Sequence, residues 1–78
     1  MNKNKMTFEI MEFMVWIIEI VSAEFFGGDK TAAYNAMKNS GIWDIYVETY
    51  DVTHSLGKEY LMDEMREYFV NKGVNLSC

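Results

Sequence analysis

Residues 8–26 read F-E-I-M-E-F-M-V-W-I-I-E-I-V-S-A-E-F-F, and no other stretch of the chain is as long or as apolar. Neither Pro nor Gly occurs in it before Gly27-Gly28. Its carboxylates are Glu9, Glu12, Glu19 and Glu24. At about 100° per residue they fall within an arc of about 140°. The opposite side is unbroken: Phe8, Ile10, Met11, Met14, Val15, Ile17, Ile18, Val21 and Phe25. A strand would alternate and end after about 4–8 residues, and this run does neither. The spacing predicts one helix, closed by the glycine pair, with the other segments as its cover.

The polar arc is interrupted. Phe13, Trp16 and Ile20 lie among the glutamates, so this helix is apolar almost all round and expects burial on several sides. Two readings stand at this point. Either the chain covers Phe13, Trp16 and Ile20 itself, or they form a contact face for another chain, with Glu12 and Glu19 at its rim.

The flanking segments also have helical period. Thr7 or Asn4 can cap the first helix, and Asp29 can cap a second over residues 30–39. On the second, Ala33, Tyr34, Ala36 and Met37 share a face, and Asn39-Ser40-Gly41 ends it. A third helix runs from Ile42 to about Val52, with Ile42, Ile45, Tyr46, Thr49 and Val52 inward and Asp44, Glu48 and Asp51 outward. The β-branched and aromatic residues of 42–47 also admit a strand, but carboxylates at helical spacing favour the helix. After a turn over 53–57, residues 58–72 form the clearest amphipath. Its stripe of Leu61, Met62, Met65, Tyr68 and Phe69 opposes Glu59, Asp63, Arg66 and Glu67, and Gly73 stops it. The expected fold is all-α: a compact orthogonal bundle of three to four helices in one domain over 1–78, with frayed ends at about 1–5 and 74–78.

Composition narrows the function classes. A chain of 78 residues buries only about 60% of its unfolded surface and gains from association. The formal net charge is −5 and the lysines and arginines are scattered. Nucleic-acid binding needs a basic stripe, so it is not expected, and neither is an anionic membrane. An acidic surface favours a basic protein partner or solubility. The single cysteine, Cys78, cannot form an internal disulfide. Lys3 and Lys5 before the apolar run resemble a secretory signal, but Glu12 and Glu19 leave only residues 13–18 uninterrupted. That is below the about 7–15 of a signal and the ~20 of a membrane span. A cytoplasmic protein is expected.

Chemistry-bearing residues are few. His54 is the only histidine. On a continuous helix Asp44, Glu48 and Asp51 would share a face that His54 extends, a loose likeness to a carboxylate–histidine metal site using Asp51 and His54. The plainer reading is a solvated acidic face and a histidine that fixes a turn together with Asp51 and Gly57. Ser55 adjoins His54, but sequence neighbours rarely place a base on a hydroxyl. Gly27-Gly28 lacks the preceding strand and the Gly-x-x-Gly-Lys-Ser/Thr ending of a phosphate loop. Most of the seven methionines fall on apolar faces and suit core filling. No catalytic residue, cofactor or metal is expected.

Residues 50–73, Y-D-V-T-H-S-L-G-K-E-Y-L-M-D-E-M-R-E-Y-F-V-N-K-G, resemble a family of short bacterial proteins of unknown function common in gut Firmicutes. The shared pattern is Tyr-Asp-x-x-His-x-x-Gly-x-x-Tyr, then an acidic residue and a tyrosine. Here it falls on Tyr50, Asp51, His54, Gly57, Tyr60, Asp63 and Tyr68. Gly41-Ile42 and the apolar first helix also match. Family members often carry Leu before the histidine and Thr after it, where this chain has Thr53 and Ser55. The resemblance implies a small helical cytoplasmic protein of no established activity. Such proteins are often encoded beside a predicted ADP-ribosyltransferase-like protein, which implies the neutralising or accessory half of a toxin–antitoxin-like pair. The expected function is a non-enzymatic protein-binding module, with a structural homodimer as the alternative and a homo-oligomer expected in either case.

Overall fold

A computed structural model of the chain describes residues 7–74 and residue 76, and every described element is a helix. In chain order they are α1 (Phe8–Phe25), α2 (Lys30–Ser40), α3 (Ile42–Glu48), α4 (Tyr50–Thr53) and α5 (Lys58–Asn71). The all-α bundle is as expected, and no strand forms over 42–47. Five helices replace three to four because the expected third helix breaks at Thr49 (φ −105°, ψ 24°). The Thr49 hydroxyl donates to the Ile45 carbonyl at 2.7 Å, a local bond that competes with helix continuation.

The ends of the helices follow the sequence signals. Thr7 Oγ1 accepts from the Ile10 amide at 3.2 Å, and Asp29 Oδ1 from the Ala32 amide at 3.0 Å. Asn4, the other candidate cap, lies outside the described residues. After α1 the Gly28 amide returns to the Ser22 carbonyl at 2.7 Å. Gly73 ends α5 with φ +77°. Its amide reaches Val70 O at 3.1 Å and that of Val74 reaches Phe69 O at 2.9 Å, the paired bonds of a left-handed C-terminal cap. Val74 and Leu76, expected in a frayed tail, instead pack half-buried on the core. The expected fraying of residues 1–5 lies outside the described residues.

One core joins the helices. Met14, Ile17, Val21 and Phe25 of α1 meet Ala33 and Met37 of α2, Ile42, Tyr46 and Val47 of α3, and Leu61, Met62, Met65 and Phe69 of α5. The C-terminal end of α1 is locked to α5 by aromatic edges. Phe69 stands 6.1 Å from Phe25 and 6.0 Å from Phe26 between ring centres, and the Arg66 guanidinium lies 5.0 Å over Phe25. Tyr34 meets Trp43 edge-on at 5.0 Å, joining α2 to α3. Two tyrosine hydroxyls tie α5 to the rest: Tyr46 donates to Glu64 Oε1 at 3.0 Å, and Tyr68 donates to the Ser40 carbonyl at 2.7 Å. No buried side-chain polar atom among the described residues lacks a partner, as buried polar groups require.

Two faces differ from expectation. On α1 the buried side is rotated by about 50° from the one opposite the glutamates. Phe8, Met11 and Val15, expected in the core, are exposed, while Phe13 and Ile20 are half-buried against it. The cause is α4, which sets Tyr50 edge-on to Phe13 at 5.5 Å and draws the core toward that side. On α3 and α4 the inward residues are Ile42, Tyr46, Val47 and Thr53, and the expected Ile45, Thr49 and Val52 face outward.

Candidate protein-contact surfaces

The outward side of α1 carries the largest apolar exposure of that helix: Phe8 72%, Val15 57%, Met11 51% and Trp16 39%. Phe8, Met11, Val15 and half-buried Ile18 recur at alternating steps of three and four, the seam spacing of paired helices. Glu12 and Glu19 run along one edge of this seam. Lys30 lies 3.7 Å from Glu19, so one cation stands among the carboxylates. Between α1 and the start of α2, Val15, Ile18, Lys30 and Tyr34 line a shallow depression of about 370 Å³. Of the residues expected at an interface, Trp16, Glu12 and Glu19 are exposed, and Phe13 and Ile20 are half-buried against the core on the far side of the helix from this seam.

The segment around His54 is a turn held by its own backbone. His54 Nδ1 lies 2.6 Å from the Tyr50 carbonyl. A carbonyl only accepts, so Nδ1 carries the proton. The imidazole stacks on the Tyr50 ring at 4.4 Å and 15°, and Tyr50 in turn meets Phe13. His54 thus braces α4 against α1. Asp51 makes no hydrogen bond or ion pair among the described residues. Gly57 is the N-cap of α5 at φ −74°, where its carbonyl accepts from Leu61 at 3.0 Å. His54→Ala should remove the bond and the stack at this exposed position. The expected loss is about 0.5–1 kcal/mol, seen as a fall in melting temperature of roughly 2–8 °C. An unchanged melting curve would show that the brace contributes nothing.

Candidate chemistry does not assemble here. The Ser55 hydroxyl donates to the Val52 carbonyl at 2.8 Å, so it is turned to its own backbone and not to His54. The break at Thr49 takes Asp44 and Glu48 out of the continuous helix that would have aligned them with Asp51. Among the described residues no group of three or more His, Cys, Asp or Glu side chains is placed to hold a metal ion. Cys78 lies outside the described residues.

A second surface escaped the sequence reading. The outward residues of α3 and α4 and the facing side of α5 enclose a groove of about 540 Å³. Ile45, Thr49 and Val52 form one wall, and Tyr60, Glu64, Glu67 and Tyr68 the other. Tyr60 is exposed. Buried Tyr46 lies at the groove floor, and burial first, with the Glu64 carboxylate second, pushes its phenol well above the ordinary range. It therefore stays protonated and donates to Glu64. The signal that could have found this surface is the i, i+4, i+8 series Tyr60, Glu64, Tyr68 facing Ile45, Thr49 and Val52.

No helix among the described residues is long and apolar enough to cross a membrane. A family model described as a protein of unknown function, DUF3791, matches residues 12–72. No curated protein and no solved structure matches the chain.

Proposed function

The chain belongs to the DUF3791 family of proteins of unknown function, and from that premise we propose that it is a non-enzymatic protein-binding module that pairs with a second copy through the outward side of α1. The observation that carries this is the exposed seam of Phe8, Met11 and Val15 at paired-helix spacing. Monomers rarely leave such a strip open unless it binds something. A seam of this kind is complementary to itself across a two-fold axis, so a second copy fits it without new chemistry. Glu12 and Glu19 then flank the contact, with Trp16 beyond them, while Phe13 and Ile20 lie on the far side of α1 from the seam.

The absence of enzymatic activity is supported by the engagement of His54 and Ser55 with their own backbone carbonyls. The lone cysteine suits a reducing compartment, in line with a cytoplasmic place. The resemblance of residues 50–73 adds a role for the dimer, as the neutralising or accessory component of a two-gene bacterial pair.

Val15→Glu tests the contact. Val15 is exposed within one chain, so the variant should keep its helical circular dichroism and fall from a dimer to a monomer of about the 9.1 kDa chain mass by light scattering. A desolvated carboxylate in the seam would weaken pairing at least tenfold. Unchanged mass in a folded variant would place the contact elsewhere. Loss of helix would show that Val15 is core.

A further inference from the structure

We propose that the groove between α3–α4 and α5 docks a cationic amphipathic segment of another protein. This goes beyond pairing through α1, because no α1 residue lines the groove.

The groove is apolar on one wall and anionic on the other. Ile45, Thr49 and Val52 follow at steps of four and three along α3 and α4, and Val52 is 63% exposed. They offer the stripe that the apolar side of a helix occupies when it lies in a groove. The charged side chains lining it are Glu64 and Glu67, and no lysine or arginine joins them. Arg66 of α5 is engaged away from the groove, 3.6 Å from Glu24 and over Phe25, and Lys72, just past α5, lies over the Tyr68 ring at the groove's edge.

Glu64 is also fixed in place. Its Oε1 accepts from the buried Tyr46 hydroxyl, and Oε2 has no partner among the described residues. A carboxylate positioned in advance costs less entropy to engage than a free surface one. Tyr60, 57% exposed, adds an aromatic face one helical turn away. A carboxylate beside an aromatic ring suits the guanidinium of an arginine, which pairs with the one and stacks on the other. The occupant therefore presents aliphatic side chains to Ile45 and Val52, and Arg or Lys to Glu64, Glu67 and Tyr60. The net charge of −5 steers such a segment toward the protein.

The test uses two labelled synthetic helical peptides with identical leucine stripes, one with arginine and one with glutamate on the polar side. Fluorescence anisotropy measures their binding to the full chain. The arginine peptide should bind at least tenfold tighter, and its affinity should fall as salt rises. The deciding variant is Val52→Asp. It makes the protein more acidic, so undirected charge attraction predicts tighter binding of the arginine peptide, whereas docking in the groove predicts at least a tenfold loss. Circular dichroism checks that the variant folds, and Tyr60→Ser, at another exposed wall position, should also weaken binding if Val52→Asp does not fold. Val15→Glu should leave peptide affinity unchanged, which separates this surface from the α1 contact. Equal or tighter binding to Val52→Asp, or no preference for the arginine peptide, would overturn the proposal.

Discussion

Phe69→Ala should leave much of the chain unfolded under conditions where the parent is native. Phe69 is fully buried on α5 and stands edge-on to both Phe25 and Phe26. It thus joins the last turn of the longest helix to the last helix of the chain. Its carbonyl also receives the Val74 amide that closes α5. Truncating a buried phenylalanine costs about 3–5 kcal/mol, because the transfer energy is lost and a cavity remains. At about 0.05–0.15 kcal/mol per residue, a chain of 78 residues has about 4–12 kcal/mol in all. The variant therefore loses about a quarter or more of its stability. Urea unfolding followed by circular dichroism should show the midpoint falling by at least about a quarter with the slope unchanged. A shift of under a tenth would mean that α5 does not belong to the cooperative core.

Gly41→Val should be the most damaging change at any exposed or half-buried position. Gly41 joins α2 to α3 at φ +93°, and a Cβ placed there would sit 3.3 Å from the Tyr68 hydroxyl. Two effects add. A left-handed backbone costs an ordinary residue about 1–2 kcal/mol, and a β-branched one more. The Tyr68 hydroxyl would also be pushed off the Ser40 carbonyl that it holds at 2.7 Å, forfeiting about 1 kcal/mol. The expected total is about 2–4 kcal/mol, a melting-temperature drop of at least 8 °C. Gly57→Ser is the control. At φ −74°, with nothing within 4 Å of an added Cβ, serine supplies the missing side-chain cap of α5 and should match or exceed the parent. Equal melting of Gly41→Val and the parent would contradict the geometry at the α2–α3 junction.

The contrast between these glycines shows what could be read from the sequence. Helix ends were legible because their determinants are local: Thr7 and Asp29 cap within three residues, and Gly73 closes within five. The buried stripe of α5 was legible for the same reason, since Leu61, Met62, Met65 and Phe69 oppose charged neighbours. The buried side of α1 was not, because that helix has more apolar residues than its cover can hide. Which of them remain outside depends on where α4 lands, and Tyr50 reaches Phe13 across 37 residues of chain. The outward turn of Ile45 and Val52 has the same origin. Periodicity located an apolar face on the third segment, but Trp43 and Val47 compete for the interior, and the break at Thr49 settles the competition. The α1 seam and the apolar wall of the groove are thus made of residues that looked like core. His54 lies in the turn after α4, with the Tyr50 carbonyl as its hydrogen-bond partner.

Pairing through α1 is most directly tested by sedimentation equilibrium of the unmodified chain at low and high salt. Each copy carries a net charge of −5, so two copies repel, and screening that repulsion should tighten an apolar contact. The predicted result is a mass near twice 9.1 kDa, approached at lower protein concentration when salt is high. A mass of one chain at every concentration and salt level would contradict the account.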